Sequence, residues 1–168
     1  MGAARVRLLV VCLGNICRSP LAEGALRHHL AGSKLSGKVE VDSAGTGHWH
    51  VGEPPDPRAI ACARRHGVDI SGQRARQIRP QDFEAYDWLF CADRQNLSDV
   101  RRIAPPGLAH KAVLLLDWAG VETAGAVPDP YTGGHDDFDH VWRLVDSAAQ
   151  AVVTRLASEW DCGIIGPS

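Results

Sequence analysis

Near its start the chain reads Val6-Arg-Leu-Leu-Val-Val-Cys12-Leu-Gly-Asn-Ile-Cys-Arg18-Ser-Pro20, and this is the most informative part of the sequence. The apolar run Val6–Val11 is typical of a buried strand. The segment that follows Arg18 is typical of the start of a helix, with Ser19 as the N-cap and Pro20 as the first helical residue. The segment Cys12–Arg18, called the anion loop below, therefore connects a strand to a helix.

The anion loop has the features needed to bind a tetrahedral oxyanion and to attack it with sulfur. A helix N-terminus carries roughly half a positive charge and unpaired N–H donors, and successive amides of a tight loop form a nest for anions. The guanidinium of Arg18 can bind two oxygens of one phosphate. Positive charge of this kind favours the thiolate form of a cysteine, so we expect Cys12 to be a nucleophile.

The remaining residues of the anion loop also suit this chemistry. Gly14 lets the backbone approach a ligand without an intervening Cβ, and Asn15 tolerates the positive φ of a tight bend. The Ser19 hydroxyl can donate to the Cys12 sulfur and stabilise it as a leaving group. We expect the substrate contacts of this segment to come from Leu13, Gly14, Asn15, Ile16, Cys17 and Ser19.

The composition predicts a single domain over residues 1–168. The net charge of −2 gives no reason to expect a nucleic-acid or membrane-surface partner, and no stretch approaches the ~18 apolar residues of a membrane span. The five cysteines are an odd number without Cys-x2-Cys spacing, which argues against a disulfide scaffold and a zinc site and favours free thiols in a reducing compartment. We therefore expect a cytoplasmic monomer without a metal or cofactor.

The rest of the chain alternates strand and helix patterns. Short apolar runs predict further strands at Val39–Ala44, Trp88–Ala92 and Ala112–Leu116. Helices are predicted after Ser19 and over Pro57–His66, Asp93–Ala104 and Asp136–Trp160. This alternation predicts an α/β fold, with one open, mainly four-stranded parallel sheet and helices on both faces in three αβα layers. Ligands of such sheets bind beyond the carboxyl ends of the strands, where the anion loop lies.

At these residues the chain resembles a known family. The segment Val11–Pro20 looks like the signature of low-molecular-weight protein tyrosine phosphatases. The resemblance runs from Val6 to about Trp160, and it continues in order through Asp42–Thr46, Trp49–Asp56, Ala75–Gln77 and Asp129–Tyr131. It implies that phosphotyrosine proteins and aryl phosphates are hydrolysed in two steps through a phosphocysteine, without a metal, by Cys12, Arg18 and Asp129.

Asp129 is the candidate for the acid that protonates the leaving phenol, since a phenolate leaves poorly without a proton. It lies between two prolines, and Pro130 restricts the Asp129 backbone to extended geometry, which holds the side chain still. Trp49 and Tyr131 are predicted to form aromatic walls for the ring of the substrate. The pocket is therefore expected to draw on three separate loops.

Two further residues occupy positions that the resemblance makes informative. Ser43 is expected to support the anion loop through a hydrogen bond with Asn15. Gln73 stands where many family members have a histidine, so this position can form hydrogen bonds but cannot titrate. Cys17 shares the anion loop with Cys12, and we predict that an oxidised Cys12 forms a disulfide with it.

Other polar residues are interpreted as structural. His48 and His50 are expected to be solvated, because a His-x-His pair without a third ligand is a weak metal signal. Arg58 is expected to pair with Asp56. The acidic group near the last helix is interpreted as favourable charge at a helix N-terminus rather than as a cation site; its members are Asp136, Asp137 and Asp139.

Three alternatives remain at this point. Arsenate reductases share the fold and loop, but the thioredoxin-coupled type needs a further close cysteine pair, whereas Cys62 and Cys91 stand alone and Cys162 lies near the C-terminus. Protein arginine phosphatases typically carry threonine at the position of Ile16. A non-catalytic phosphate-binding module has no need for an intact set of nucleophile, guanidinium and acid.

Overall fold

The computed structural model describes residues 6–121 and 125–165. Its elements follow one another as β1 (Val6–Cys12), α1 (Arg18–Ala31), β2 (Val39–Gly45), α2 (Pro57–Arg65), α3 (Asp82–Ala85), β3 (Trp88–Cys91), α4 (Arg94–Arg102), a short 3₁₀ helix (Ala109–Lys111), β4 (Ala112–Leu114), α5 (Leu115–Ala119) and α6 (His135–Asp161). The four strands form one parallel sheet in the order β2-β1-β3-β4. The predicted α/β class and the four-stranded parallel sheet are confirmed.

The sheet separates two hydrophobic cores, because successive side chains of a strand point to opposite faces. Leu8 and Val10 of β1 belong to the larger core, with residues of α1, α2, α5 and α6. Leu9 and Val11 belong to the smaller core, with Phe83 of α3 and residues of α4. Helices therefore cover both faces, as the alternation of strand and helix patterns predicts.

The long helix α6 keeps one apolar face against the larger core. Each fully buried Val or Leu side chain contributes about 1.5–3 kcal/mol to stability, and this face supplies Phe138, Val141, Trp142, Val145, Ala148, Ala149, Val152, Val153 and Leu156. The helical spacing of most of these residues in the sequence predicts this helix clearly. Asp137 accepts a hydrogen bond from the Gly134 backbone at 2.8 Å, so its predicted structural place at the start of α6 is confirmed.

Two predictions about element boundaries are wrong. The fourth strand ends at Leu114, and Leu115 and Leu116 instead begin α5, because a short apolar run does not distinguish a strand from a buried helical turn. Helix α1 begins at Arg18 with Cys17 in the N-cap position, so Ser19 is not the N-cap. The physical reason is that the Ser19 hydroxyl is already occupied by side chains of the anion loop.

None of the helices within residues 6–121 and 125–165 is long and apolar enough to cross a bilayer.

Candidate active site

The anion loop lies at the carboxyl end of β1, where it passes directly into α1. Asn15 has φ 59°, and it is the one non-glycine residue with positive φ in the described part of the chain. Its side-chain amide donates to Ser19 Oγ at 2.8 Å and to Ser43 Oγ at 3.0 Å, while its Oδ1 accepts from the backbone N–H of Arg76 at 3.0 Å. The predicted bend at Asn15 and its bond to Ser43 are therefore confirmed, and three bonds hold the bend.

The neighbouring strand approaches the anion loop so closely that it requires a glycine. Gly45 of β2 pairs with Cys12 in the sheet. A Cβ on Gly45 would lie 2.8 Å from the carbonyl oxygen of Leu13 and 3.2 Å from the backbone nitrogen of Asn15. Any side chain at position 45 would push the anion loop away from the sheet.

The sulfur of Cys12 lies at the base of the anion loop and is buried. The backbone N–H of Asn15 donates to Cys12 Sγ at 3.3 Å. Ser19 Oγ lies 3.0 Å from the same sulfur, which is the contact expected from the sequence. The amide donates to the sulfur, and the hydroxyl is close enough to stabilise the sulfur when it leaves.

Arg18 is buried beside this sulfur and is fixed by two acceptors. Its Nη1 donates to Asp93 Oδ2 at 2.6 Å and to the carbonyl oxygen of Val127 at 3.1 Å. Its Nη2 lies 3.8 Å from Asp129 Oδ2. Burial by itself would lower the pKa of Arg18, but the charge of Cys12 and the bond to Asp93 outweigh burial and raise the pKa. The guanidinium therefore remains a permanent cation in the site.

One cavity of about 180 Å³ brings these groups together. Asp129 lies at its mouth, with its side chain about half exposed, and accepts a hydrogen bond from the Tyr131 backbone N–H at 3.1 Å. Trp49 and Tyr131 are 63% and 49% exposed, so both rings are free to contact a bound substrate. The cavity is lined by Cys12, Leu13, Gly14, Ile16, Cys17, Arg18, Trp49, His50, Asp129 and Tyr131.

One prediction about the cavity is wrong, since His50 is not a fully solvated residue. It lines the cavity, its ring lies against Gly14, and its Nδ1 is 2.6 Å from Glu53 Oε2. His48 stacks on Trp49, with ring centroids 5.6 Å apart. No sequence signal distinguished these two histidines, because their placement depends on how the Gly45–Gly52 loop folds over the anion loop.

The predicted pair between Asp56 and Arg58 is confirmed, and it also supports the loop that carries Asp129. Arg58 Nη2 lies 2.8 Å from Asp56 Oδ2. The same guanidinium donates to the carbonyl oxygens of Tyr131 at 2.9 Å and Gly133 at 3.1 Å. The start of α2 thus fixes the backbone on the C-terminal side of Asp129.

The buried carboxylate of Glu23 supports Asn15 indirectly, through Ser43. Ser43 Oγ donates to Glu23 Oε1 at 2.7 Å, and Arg27 Nε donates to Glu23 Oε2 at 2.8 Å. Burial raises the pKa of Glu23, although the bonds from Ser43 and Arg27 oppose this rise. Gln73 does not join this chain of bonds, because its amide donates to the carbonyl oxygen of Pro20 at 3.1 Å.

The chain is similar to known proteins over most of its length. A family model described as low molecular weight phosphotyrosine protein phosphatase matches residues 7–161. The low molecular weight phosphotyrosine protein phosphatase of Schizosaccharomyces pombe is 38% identical over 143 residues, which cover 84% of this chain and 91% of that protein. YfkJ of Bacillus subtilis, a low molecular weight protein-tyrosine-phosphatase, is 36% identical over 154 residues, which cover 92% and 97%.

Solved structures agree with this assignment. A protein tyrosine phosphatase from Entamoeba histolytica superposes with a TM-score of 0.87 at 31% identity, covering 91% of this chain and 97% of that one. The crystal structure of Bacillus subtilis YfkJ superposes with a TM-score of 0.86 at 34% identity, covering 94% and 98%. The chain therefore belongs to the low molecular weight phosphotyrosine protein phosphatase family.

Proposed function

We propose that this protein hydrolyses phosphotyrosine in proteins, and aryl phosphates, through a phosphocysteine intermediate. The observation that carries the proposal is the convergence of three groups on one cavity: the sulfur of Cys12, the guanidinium of Arg18 and the carboxyl group of Asp129. A nucleophile, an anion-binding cation and an acid are the groups that transfer of a phosphoryl group to sulfur requires.

The first step transfers the phosphoryl group from the phenol to Cys12. The thiolate attacks phosphorus in line, so the S–P bond forms while the bond from phosphorus to the phenolic oxygen breaks. Asp129 gives its proton to that oxygen, and the phenol leaves neutral. Arg18 and the amides of the anion loop hold the three equatorial oxygens, where negative charge resides through the transition state.

The second step returns the enzyme to its starting state. Asp129, now a carboxylate, takes a proton from a water molecule that attacks phosphorus, and the S–P bond breaks. Ser19 Oγ, at 3.0 Å from Cys12 Sγ, stabilises the departing thiolate. The protons that move in the two steps come from Asp129 and one water molecule, and the oxygen atoms come from the substrate and the same water molecule.

The two enzymatic alternatives receive less support from the geometry. Cys62 and Cys91 belong to different hydrophobic cores, on opposite faces of the sheet, so they do not form a pair for relaying electrons to Cys12. Ile16 presents an apolar side chain to the cavity, beside the exposed rings of Trp49 and Tyr131. The side chain of Ile16 offers a phenyl ring an apolar contact but gives the N–H groups of a phosphorylated guanidinium no acceptor.

Release of nitrophenol from p-nitrophenyl phosphate tests the proposal. We expect turnover by the parent protein and by Cys162→Ser, whose cysteine is exposed and outside the cavity. Cys12→Ser should lose turnover and still bind inorganic phosphate by titration calorimetry, because Arg18 and the amides remain. Residual activity of Cys12→Ser above about 1% of the parent rate would contradict a covalent mechanism. Phosphate binding without turnover by the parent would instead identify a non-catalytic binding module.

A further inference from the structure

A second cluster of chemically reactive side chains lies where α2 packs against the start of α6. Cys62 and His66 are four residues apart at the C-terminal end of α2, and His135 and Asp139 are four residues apart at the start of α6. Residues with this spacing lie on the same face of a helix. None of the four lines the cavity that contains Cys12.

The donor atoms of three of these residues converge. One atom each from Cys62, His66 and Asp139 lies within 4.8 Å of the other two. The sulfur of Cys62 is 3.6 Å from Asp139 Oδ1. On the other oxygen of the same carboxylate, His135 Nδ1 lies 3.2 Å from Asp139 Oδ2.

This combination of atoms is suited to a borderline-soft divalent metal. Zn²⁺ binds cysteine sulfur at about 2.3 Å and histidine nitrogen or carboxylate oxygen at about 2.0–2.2 Å, so the ligand atoms of a tetrahedral site lie about 3.5 Å apart. The Cys62 Sγ–Asp139 Oδ1 distance of 3.6 Å already matches this spacing, and the distances to His66 are at most 4.8 Å. Sulfur and imidazole together also disfavour Mg²⁺ and Ca²⁺, which prefer oxygen ligands.

We propose that Cys62, His66 and Asp139 bind a divalent transition-metal ion, for which Zn²⁺ is the best match, and that the ion joins α2 to α6. His135 Nδ1 lies 3.2 Å from the second oxygen of Asp139, so a hydrogen bond from His135 would orient the carboxylate toward the ion. The cluster goes beyond the phosphatase reaction, since no step proposed for Cys12 uses these residues.

The burial of the cluster is consistent with an ion entering from solvent. Cys62 is fully buried beneath the surface, while His66 is exposed above it. The His66 ring stacks on Trp142 with ring centroids 5.0 Å apart, which restrains its orientation. Binding replaces the S–H bond of Cys62 by a sulfur–metal bond, and the proton goes to the buffer.

The guanidinium of Arg65 competes with a metal ion for the carboxylate of Asp139. Arg65 Nη2 donates to Asp139 Oδ1 at 2.7 Å, the oxygen that faces Cys62. Arg65 is partly exposed, so its guanidinium can swing into solvent when an ion arrives. We therefore expect Arg65→Gln to bind the metal more tightly than its parent.

Absorption spectroscopy with Co²⁺ tests the site, because a bound cobalt–thiolate gives a charge-transfer band that oxygen and nitrogen ligands do not give. The full-length Cys12→Ser variant is the parent for this experiment, so that the thiolate of the anion loop does not contribute. We expect the band to appear in this parent and in a Cys162→Ser control, to disappear in Cys62→Ser, and to need at least about tenfold more Co²⁺ in His66→Ala.

A second measurement covers the case in which Cys62→Ser, at a fully buried position, fails to fold. His66 is exposed, so His66→Ala preserves the core. Zn²⁺ should raise the Tm of the Cys12→Ser parent, and a chelator should reverse this rise, while His66→Ala should show a much smaller rise. Absence of the cobalt–thiolate band in the parent, or an unchanged band and an unchanged rise in Tm in His66→Ala, would overturn the proposal.

Discussion

Asp93 Oδ2 accepts a hydrogen bond from Arg18 Nη1 at 2.6 Å, and this contact joins two residues that are 75 positions apart. The other oxygen of the same carboxylate accepts the backbone N–H of Asn96 at 2.8 Å and so caps α4. A single side chain therefore fixes the start of a helix on one face of the sheet and the guanidinium of the anion loop. We infer that Asp93 is a positioning residue, since it acts on the phosphate through Arg18.

Removing the charge of Asp93 should let the guanidinium of Arg18 move, although Arg18 itself is still present in the site. Asp93→Asn keeps an oxygen for the N-cap, and we expect kcat on p-nitrophenyl phosphate to fall about tenfold or more, because a misplaced catalytic group costs more in the transition state than in binding. The inhibition constant of inorganic phosphate should change less than kcat. Asp99→Asn is the matched control on the same helix, since Asp99 pairs with Gln95 and Arg102, two exposed side chains of α4. Equal losses in kcat and in phosphate affinity would contradict the positioning role.

Loss of Asp129 is expected to lower kcat most for substrates with poor leaving groups. Replacement by alanine should lower kcat by about 10²–10⁴ on phosphates of weakly acidic phenols, the usual contribution of a positioned acid. The loss should shrink as the phenol becomes more acidic, because such phenolates leave without a proton. A series of substituted phenyl phosphates measures this trend, with Asp136→Asn as an exposed carboxylate control outside the cavity. A loss that is the same for every leaving group would identify a different residue as the acid.

Ile16 is expected to set the preference for phosphotyrosine. The parent should hydrolyse phosphotyrosine peptides with a much higher kcat/KM than phosphoserine or phosphoarginine peptides, because the phenyl ring contacts apolar and aromatic walls. Ile16→Thr should lower the ratio of phosphotyrosine to phosphoarginine activity. Ile16→Val is the matched control, since valine has the shape of threonine without its hydroxyl. Equal kcat/KM of the parent on phosphotyrosine and phosphoarginine would favour the arginine phosphatase alternative.

The parts of the site that sequence predicted are those built from neighbouring residues. The strand, the bend at Asn15 and the presence of a helix after the anion loop belong to one continuous segment, so local propensities specify them. Ser19 shows the limit of this reasoning. Its hydroxyl suits an N-cap by residue type, but the fold brings Cys12 and Asn15 to it instead.

The parts that sequence did not predict depend on contacts between distant segments. In the sequence, Asp93 has the features of an ordinary N-cap. The packing of α4 on the sheet also places its carboxylate against Arg18. Cys62 and Asp139 are 77 residues apart and follow no familiar metal-binding spacing, and the expectation of no metal site rested on the number and spacing of the cysteines and on the family resemblance. In both cases, the order of strands in the sheet and the packing of helices on it create the contact.

Cys17 is expected to protect Cys12 from irreversible oxidation. Both cysteines line the same cavity, and Cys17 occupies the N-cap position of α1. Burial, followed by the charges of Asp56 and Cys12, raises the pKa of Cys17 well above the ordinary thiol range, so Cys17 remains a neutral thiol beside the nucleophile. A neutral thiol is oxidised slowly, which leaves Cys12 as the first target of peroxide.

The oxidation should proceed in two balanced steps. Peroxide converts the Cys12 thiolate to a sulfenic acid, which removes one of the charges that raise the pKa of Cys17. The Cys17 sulfur then attacks the Cys12 sulfur and forms a disulfide, while the Cys17 proton leaves with the sulfenic hydroxyl as water. We expect peroxide to inactivate the protein, mass spectrometry to find Cys12 linked to Cys17, and dithiothreitol to restore activity. Inorganic phosphate should slow inactivation by occupying the anion loop. Cys17→Ser should recover less activity than a Cys162→Ser control, because its sulfenic acid proceeds to irreversible sulfinic and sulfonic acids. Full recovery of Cys17→Ser after the same exposure would show that Cys17 has no protective role.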